Sequence, residues 1–227
     1  MKPEKFAILL AFLLALGIAS GCSSSLSGSV QAASFQPTSS LQSEAQPPVS
    51  KSVTLDDADE RAGNTVNLLL SSYSAKEFKE APVSEQDIET ILNCAIKSQS
   101  ARNLQPWRFT VAKDFNMVKT LASHAVEGCV AVVVSGESTP QQGSDPVFDC
   151  ALATQNMFTA AQSLGLGAHI YAMTVNSINT QYRDELEIPK GFDAVMVLLI
   201  GHEVDGVDAV ASASHRKSFD DIVNYAG

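Results

Sequence analysis

The chain has 227 residues, of which 45% are hydrophobic, enough for one sizeable core. Its formal net charge is −10 and its isoelectric point is near 4.8, which argues against nucleic acid as a general partner, since phosphate backbones require a basic surface. The four cysteines show no CxxC or Cys/His metal spacing, so neither a metal site nor a disulfide framework is indicated.

Residues 1–21 are typical of a lipoprotein signal peptide. Lys2 and Lys5 precede the apolar run Phe6–Ile18, which is too short for a membrane-spanning helix and fits a secretory signal. The motif Ala19-Ser20-Gly21-Cys22 resembles a bacterial lipobox, which implies cleavage after residue 21 and lipid on Cys22; an ordinary signal peptide cut nearby is the alternative. Acyl chains on Cys22 would anchor the protein to a membrane surface without spanning it. We therefore expect an extracytoplasmic, lipid-anchored protein.

Residues 22–55 are predicted to be a Ser/Pro-rich disordered tether. From Ser23 to Leu55, 11 of 33 residues are serine, and the only charges are Glu44 and Lys51. Such a segment buries too little apolar surface to offset the entropy lost on ordering. The folded domain is then predicted to span residues 56–227.

Two helices open this domain. The first is indicated by apolar residues at helical spacing: Ala62, Val66, Leu69, Leu70 and Tyr73. The stretch Ser71–Phe78 breaks the period. Ser84 is a predicted N-cap with Asp87 at the reciprocal capping-box position. The apolar stripe of the second helix follows: Ile88, Ile91, Leu92, Ala95 and Ile96.

The stretch Ser100–Phe109 connects this helix to a strand over Phe109–Ala112, and it contains the only tryptophan, Trp107. Pro106 fixes its own φ and favours an extended residue before it, so the helix cannot continue through it. One interpretation is a loop whose tryptophan fills the core, because Trp is usually well buried. The other is one wall of a binding site.

The rest of the chain alternates helices and strands. Ser135–Ser144 is a predicted loop rich in Gly, Pro, Gln and Ser. The apolar runs Cys129–Val134 and Ala194–Ile200 are typical of buried strands, the first covered on both faces. Asp145-Pro146 predicts the start of a long helix that ends near Leu164, is closed by Gly165 and is apolar nearly all round, so we expect it to be buried. Further elements are predicted at Asp114–Ala125 (helix), His169–Tyr171 (strand), Ile178–Leu186 (helix) and Phe219–Tyr225 (amphipathic turn). No second composition break occurs, which favours one α+β or α/β domain.

Four segments together resemble the flavin-dependent nitroreductase family. They are SYSAKEFKEAPVSEQDIETIL, SARNLQPWRF, DCALATQNMFTAAQSLGLGAH, and VLLIGH followed by the basic pair Arg216-Lys217. The resemblance implies an α+β fold with a central, mostly antiparallel sheet surrounded by helices. It also implies an intertwined homodimer with FMN at the dimer interface. In that family a reduced nicotinamide passes a hydride to the flavin, and a small-molecule acceptor then takes the electrons.

The resemblance assigns candidate FMN contacts. Lys76 matches the basic residue of the family's first motif, and Arg216 and Lys217 match the basic C-terminal segment that holds the phosphate. Charge-assisted bonds from such groups to a phosphate are strong. Ser74 matches the hydroxyl beside them. Asn103 matches the amide near the ring and ribityl chain. The alternative for Lys76 and the Arg216-Lys217 pair is an ordinary solvated charge. Gln105, in the motif of Asn103, is a further candidate contact for which a more structural role is expected. Asn156 is interpreted as a satisfied core amide.

The chain departs from the family pattern at four positions that should face the cofactor. Ser72, followed by Tyr73, stands where members usually have a phosphate-gripping arginine, and its loss removes more than a charge. Ala172 and Met173 stand where many members have two glycines near the flavin. The segment between Lys113 and Asp145 is also short.

The leading hypothesis is an FMN-dependent oxidoreductase in which the cofactor carries the chemistry. Outside the cell, NAD(P)H as electron donor would give way to a membrane redox partner. The alternative is a non-catalytic surface lipoprotein that keeps the fold without flavin. A solute-binding lipoprotein is disfavoured by the single-domain length.

Overall fold

The structure is a computed structural model that describes residues 58–208 and 212–227, with backbone alone at 58–63. The predicted signal peptide, the tether and Cys22 lie outside the described residues and stay predictions. No helix within the described ranges is long and apolar enough to cross a membrane.

Four strands form one sheet in the order β1-β2-β4-β3, and every neighbouring pair is antiparallel. The strands are β1 (Trp107–Ala112), β2 (Val130–Glu137), β3 (Gly167–Tyr171) and β4 (Phe192–Gly201). The two most apolar runs of the sequence form the central strands β2 and β4. Their apolar side chains are therefore buried on both faces of the sheet. The predicted antiparallel sheet is confirmed.

Alternate residues of the central strands enter two separate cores, one on each face of the sheet. Val133 and Leu199 lie in one core, whereas Val132 and Leu198 lie in the other. This follows from the pleat, because successive side chains of a strand point to opposite faces. All four are fully buried, and each such side chain contributes about 1.5–3 kcal/mol of transfer free energy.

Helices cover both faces of the sheet. They are α1 (Ala58–Ser71), α2 (Glu85–Ile96), α3 (Phe115–Leu121), α4 (Pro146–Ser163), α5 (Val175–Ser177), which runs on into a π-helical turn Ile178–Tyr182, and α6 (Phe219–Ile222). Helices α2 and α4 share one core, through residues such as Ile91 and Met157. Helix α3 and the π-helical turn share the other, through Leu121 and Ile178. The predicted α+β class is confirmed.

The predicted helix boundaries follow from their caps. Ser84 Oγ accepts from the Asp87 N–H (3.1 Å) at the start of α2. Asp145 Oδ1 accepts from the N–H groups of Val147 and Phe148 at the start of α4. The reciprocal half of the capping box differs from the prediction. The Asp87 carboxylate accepts from the side-chain hydroxyl of Ser84 (2.6 Å) instead of its backbone N–H.

One prediction of burial was wrong. Helix α4 buries one face only, and Val147 and Phe148 on the other face are 56% and 61% exposed. The apolar stripe of α1 is also exposed, including Val66, Leu69 and Leu70. In the described part of a single chain, nothing covers either surface.

Several predicted boundaries shift because backbone pairing overrides local composition. Strand β1 begins at Trp107, and β2 runs on to Glu137 inside the predicted loop, since Trp107 pairs with Gly136. Tyr73 lies beyond the end of α1 at Ser71. Strands β3 and β4 are longer than predicted, beginning at Gly167 and Phe192. Two helix ends also differ: α3 stops at Leu121 rather than Ala125, and the helix predicted over Ile178–Leu186 is the π-helical turn ending at Tyr182.

Candidate functional site

The segment Tyr73–Lys79 lies along the end of the sheet, beside β3 and the continuation of β4. The N–H of Ala75 donates to the carbonyl of Ala168 in β3 (2.9 Å), and the N–H of Lys79 donates to the carbonyl of His202 (2.8 Å). Phe78 forms an antiparallel bridge with Glu203. Beyond Gly167, the first residue of β3, the segment therefore takes over the antiparallel pairing with the chain that follows β4.

Two paired glycines allow this close approach. A Cβ on Gly167 would lie 2.4 Å from Glu203 Cγ and 2.8 Å from Ala75 Cβ. A Cβ on Gly201, its partner across the ladder, would lie 2.8 Å from Phe78 Cδ1. Distances this short are not tolerated, so a side chain at either position would force a neighbour to shift: Glu203 or the segment at Gly167, and Cys129 or the segment at Gly201.

Alternate residues of the segment face inward and outward. The carbonyl of Tyr73 accepts from Gln162 Nε2 (2.6 Å), and the carbonyl of Ala75 lies 2.8 Å from His169 Nδ1. Ala75 itself is buried, whereas Ser74 and Lys76 on either side of it are exposed. Period-two alternation therefore places the hydroxyl and the ammonium on one outward side.

These outward groups line a cavity of about 450 Å³ that also includes Tyr73, Glu203 and Ser212 in its wall. The volume lies within the roughly 300–1,000 Å³ typical of small-molecule sites. The salt bridges of the described residues use Lys79, Lys113 and Arg183, and the Lys76 ammonium makes none. An unpaired ammonium beside a hydroxyl is a donor set suited to a phosphate.

The cavity also contains negative charge. Tyr73 donates its hydroxyl proton to Glu203 Oε1 (2.7 Å). Burial, and then this carboxylate, raise the pKa of Tyr73 to about 12. Asp205 is partly neutralised by Lys79 at 2.6 Å, in a pair that is largely solvent-exposed and therefore weak. Three carboxylates thus line the cavity together with Lys76: Glu77, Glu203 and Asp205.

The Ser100–Trp107 stretch is strained and anchored. Arg102, Asn103 and Gln105 have φ of +52°, +57° and +51°, a left-handed conformation that non-glycine residues adopt at a cost. The buried carboxylate of Asp149 in α4 accepts the N–H of Ala101 at 3.2 and 3.3 Å.

Individual side chains of this stretch have separate roles. Trp107 is 5% exposed, which confirms it as a core residue. Gln105 donates its backbone N–H to Ser100 Oγ (3.0 Å), and its side chain is exposed. Asn103 is exposed, and its side chain makes no hydrogen bond within the described ranges. Asn156 donates to Ser98 Oγ (2.7 Å), so its amide is satisfied as predicted, but the residue is exposed and does not lie in the core.

The other predicted cofactor contacts do not reach the cavity within one chain. Ala172 and Met173 follow β3 and are exposed, Met173 by 96%. Arg216 donates to the carbonyl of Ser214 (2.9 Å), and both it and Lys217 are exposed. Ser72 turns its hydroxyl back to the carbonyl of Leu69 (2.9 Å). Of the ten predicted contacts, the cavity brings together Tyr73, Ser74 and Lys76.

Sequence reasoning missed three residues that shape the site. Glu203 follows the predicted strand motif, but nothing in its spacing shows that it meets Tyr73. Gln162 and His169 lie in motifs of the family resemblance, yet their contacts with carbonyl groups 89 and 94 residues away leave no local pattern. Side-chain bonds to distant backbone depend on tertiary packing alone.

Comparison with known proteins places this geometry in a family. The model of the nitroreductase family matches residues 70–131 and 116–202. A protein of Archaeoglobus fulgidus, provisionally named an NADH dehydrogenase/NAD(P)H nitroreductase, is 29% identical over 154 residues, which cover 63% of this chain and 87% of that protein.

Solved structures show the same fold. A nitroreductase with bound FMN from Bacteroides fragilis matches with a TM-score of 0.60 at 17% identity, over 72% of this chain and 98% of that one. An FMN-dependent nitroreductase from Clostridium difficile R20291 matches with a TM-score of 0.59 at 22% identity, over 73% and 100% of the two chains.

Proposed function

The chain belongs to the nitroreductase family, and we propose that it is an FMN-dependent oxidoreductase that passes electrons from a reduced donor to a small-molecule acceptor. Structures of the same fold carry FMN in other organisms. FMN, when bound, supplies the redox chemistry, and the protein binds it, orients it and excludes water. No nucleophilic side chain is then required, in keeping with the lack of a catalytic triad in the sequence.

The observation that carries this proposal is the outward pair Ser74 and Lys76. Both line the cavity, and the Lys76 ammonium has no partner among the described residues. A dianionic phosphate would accept hydrogen bonds from both groups. The contacts of Gln162 and His169 with the carbonyl groups of Tyr73 and Ala75 hold Ser74 and Lys76 in place. The donors present therefore fit the phosphate end of FMN, against the opposing charges of Glu77, Glu203 and Asp205 in the cavity wall.

A homodimer would supply the remaining contacts. Large apolar side chains are exposed on α1, on the first turn of α4 and on α6: Val66, Leu69, Leu70, Val147, Phe148, Phe219 and Ile222. Monomeric proteins rarely expose so many large apolar groups in such patches. We propose that a second copy covers them and completes the flavin site around Asn103, Ala172, Met173, Arg216 and Lys217.

The donor and the location belong to the same proposal. NAD(P)H appears in the name of the Archaeoglobus relative, and we propose NAD(P)H, or a membrane redox donor in its place. The lipobox-like motif at Cys22 supports attachment to an extracytoplasmic membrane surface through lipid.

One observation favours a non-catalytic protein of the same fold. Ser72 replaces the expected phosphate-binding arginine and bonds its own helix, while Glu203 adds negative charge to the cavity. Such a protein would keep its fold and dimer but bind no flavin.

A single preparation distinguishes the two functions. The mature chain from residue 22, carrying Cys22→Ser to prevent lipidation, is purified and mixed with FMN. An oxidoreductase takes up FMN, shows the visible flavin absorption band after desalting, and bleaches it with NADH or dithionite under anaerobic conditions. A folded protein that retains no flavin would contradict the proposal and support the non-catalytic alternative.

A further inference from the structure

The side chain of His169 holds the segment that carries Ser74 and Lys76. Its Nδ1 lies 2.8 Å from the carbonyl oxygen of Ala75. Because a carbonyl can only accept, Nδ1 must carry the proton. This bond joins β3 to the one inward-facing residue between the two outward donors.

The ring of His169 is held by its neighbours. The ring of His124 lies 4.9 Å from it and the ring of Tyr171 lies 4.6 Å from it, centre to centre. Tyr171 is itself fixed, because its hydroxyl accepts from the backbone N–H of His124 (3.1 Å). The three rings pack into one cluster, so the imidazole has a defined orientation towards Ala75.

The hydrogen bond from His169 to the carbonyl of Ala75 also sets the direction of the N–H of Lys76. The carbonyl of Ala75 and the N–H of Lys76 belong to one planar trans peptide, so they point in opposite directions. With the carbonyl turned towards His169, the N–H of Lys76 points away from β3. Gln162 acts in the same way on the carbonyl of Tyr73 (2.6 Å), which turns the N–H of Ser74 outward. Neither N–H makes a backbone bond in the described ranges.

We propose that His169, together with Gln162, is a positioning residue for the phosphate of the bound flavin. It touches neither the cofactor nor the substrate. It fixes Ala75 so that Ser74 and Lys76 present their side chains and their N–H groups on the outward side, where the cavity lies. The inference rests on the proposed function, because it assigns the cavity to the phosphate of FMN.

Burial supports the neutral, donating form of the ring. Burial lowers the pKa of His169, the bond to Ala75 opposes this shift, and His124 and Lys76 add to it. A neutral imidazole with its proton on Nδ1 is therefore the form present near neutral pH. It places no additional positive charge beside Lys76.

The test compares FMN with riboflavin, which has the same ring but no phosphate. The mature chain carrying Cys22→Ser is titrated with each flavin, and quenching of flavin fluorescence gives both Kd values. His169→Leu removes the donor, whereas His169→Asn keeps an N–H near the position of Nδ1. We expect His169→Leu to weaken FMN about tenfold, the loss of roughly one positioned hydrogen bond, with riboflavin changed by less than about twofold. His169→Asn should recover most of the FMN affinity.

The matched control is His202→Leu. The side chain of His202 also lies beside a backbone carbonyl, with Nε2 3.2 Å from Pro82 O, but it does not touch Tyr73 or Ala75. Its FMN affinity should stay within about twofold of the wild type. If His169→Leu does not fold, as judged by circular dichroism, Gln162→Leu tests the same selectivity through the carbonyl of Tyr73.

The outcomes separate the two proposals. Equal losses of FMN and riboflavin, or an Asn variant as weak as the Leu variant, would overturn the positioning role while leaving the flavoprotein intact. A wild-type protein that binds neither flavin would overturn the proposed function and the positioning role with it. Selective loss of FMN in the Leu variant, with recovery in the Asn variant, supports both.

Discussion

Replacing Lys76 with glutamine removes the one cavity-lining ammonium and keeps most of the side-chain length. If the cavity holds the flavin phosphate, Lys76→Gln should weaken FMN and leave riboflavin nearly unchanged, because riboflavin has no phosphate for the ammonium to bind. The amide of the introduced glutamine could still donate a neutral hydrogen bond. The expected loss is therefore that of the charge rather than of the whole contact.

The magnitude follows from exposure. Hydrogen bonds to charged groups contribute about 1.5–3 kcal/mol, but solvent screens an exposed group such as Lys76, which places the effect near the lower end. A loss of about 1.4 kcal/mol corresponds to a tenfold rise in Kd. The loss should shrink as salt is added, because salt screens the attraction between exposed charges and the screening length falls from about 10 Å at 0.1 M to about 3 Å at 1 M ionic strength.

Fluorescence titration of both flavins at two salt concentrations measures this effect. Lys190→Gln is the matched control, because Lys190 is also exposed and does not line the cavity. An FMN affinity unchanged in Lys76→Gln would show that the phosphate binds elsewhere. An equal loss of riboflavin would show that Lys76 contacts the ring or merely supports the fold.

Three further changes test separate parts of the site. The pKa of Tyr73 is raised from 10.0 to about 12, so neutral Tyr73 stabilises the fold below pH 10, and this contribution disappears as the pH rises towards 12. Glu203→Gln should shift this loss of stability to lower pH in alkaline unfolding curves, and it should tighten FMN about threefold by removing a like charge. Unchanged unfolding curves would refute the coupling between Tyr73 and Glu203. Met173→Gly should tighten FMN and riboflavin by the same factor in binding titrations if this side chain crowds the ring, whereas a change in FMN alone would place it at the phosphate. Asp149→Ala leaves the N–H of Ala101 unpaired and should lower the free energy of unfolding in urea by about 1–3 kcal/mol; no loss would mean that water replaces the carboxylate.

The fold was predictable where neighbouring residues alone determine a helix or a strand. The apolar runs within β2 and β4 and the caps Ser84 and Asp145 specify elements without reference to the rest of the chain. The strand ends were less predictable. Trp107 lies in the sheet because it pairs with Gly136 of β2, and Glu137 lies in it because it pairs with Phe192 of β4. Their own residue types do not require it.

The candidate site was predictable at its outward side chains. Ser74 and Lys76 follow from the family motif and share one cavity. The hydrogen bonds from Gln162 and His169 to backbone carbonyl groups could not be predicted, because they join residues far apart in sequence. The exposure of Val147 and Phe148 was missed for a related reason. An apolar helix predicts burial, but it does not tell which of its faces its own chain covers.

The position of the Tyr73–Lys79 segment across the end of the sheet has a consequence for how this protein could lose its activity. An open strand edge is a template for pairing with other chains, and natural proteins cover or interrupt such edges. Here the backbone of Ala75, Phe78 and Lys79 covers the end of β3 and β4, so deleting the segment would expose the sheet to aggregation whether or not a flavin is ever bound. A descendant without catalysis would therefore keep this backbone and the two close-packed glycines. Its divergence would be confined to the outward side chains, Ser74 and Lys76.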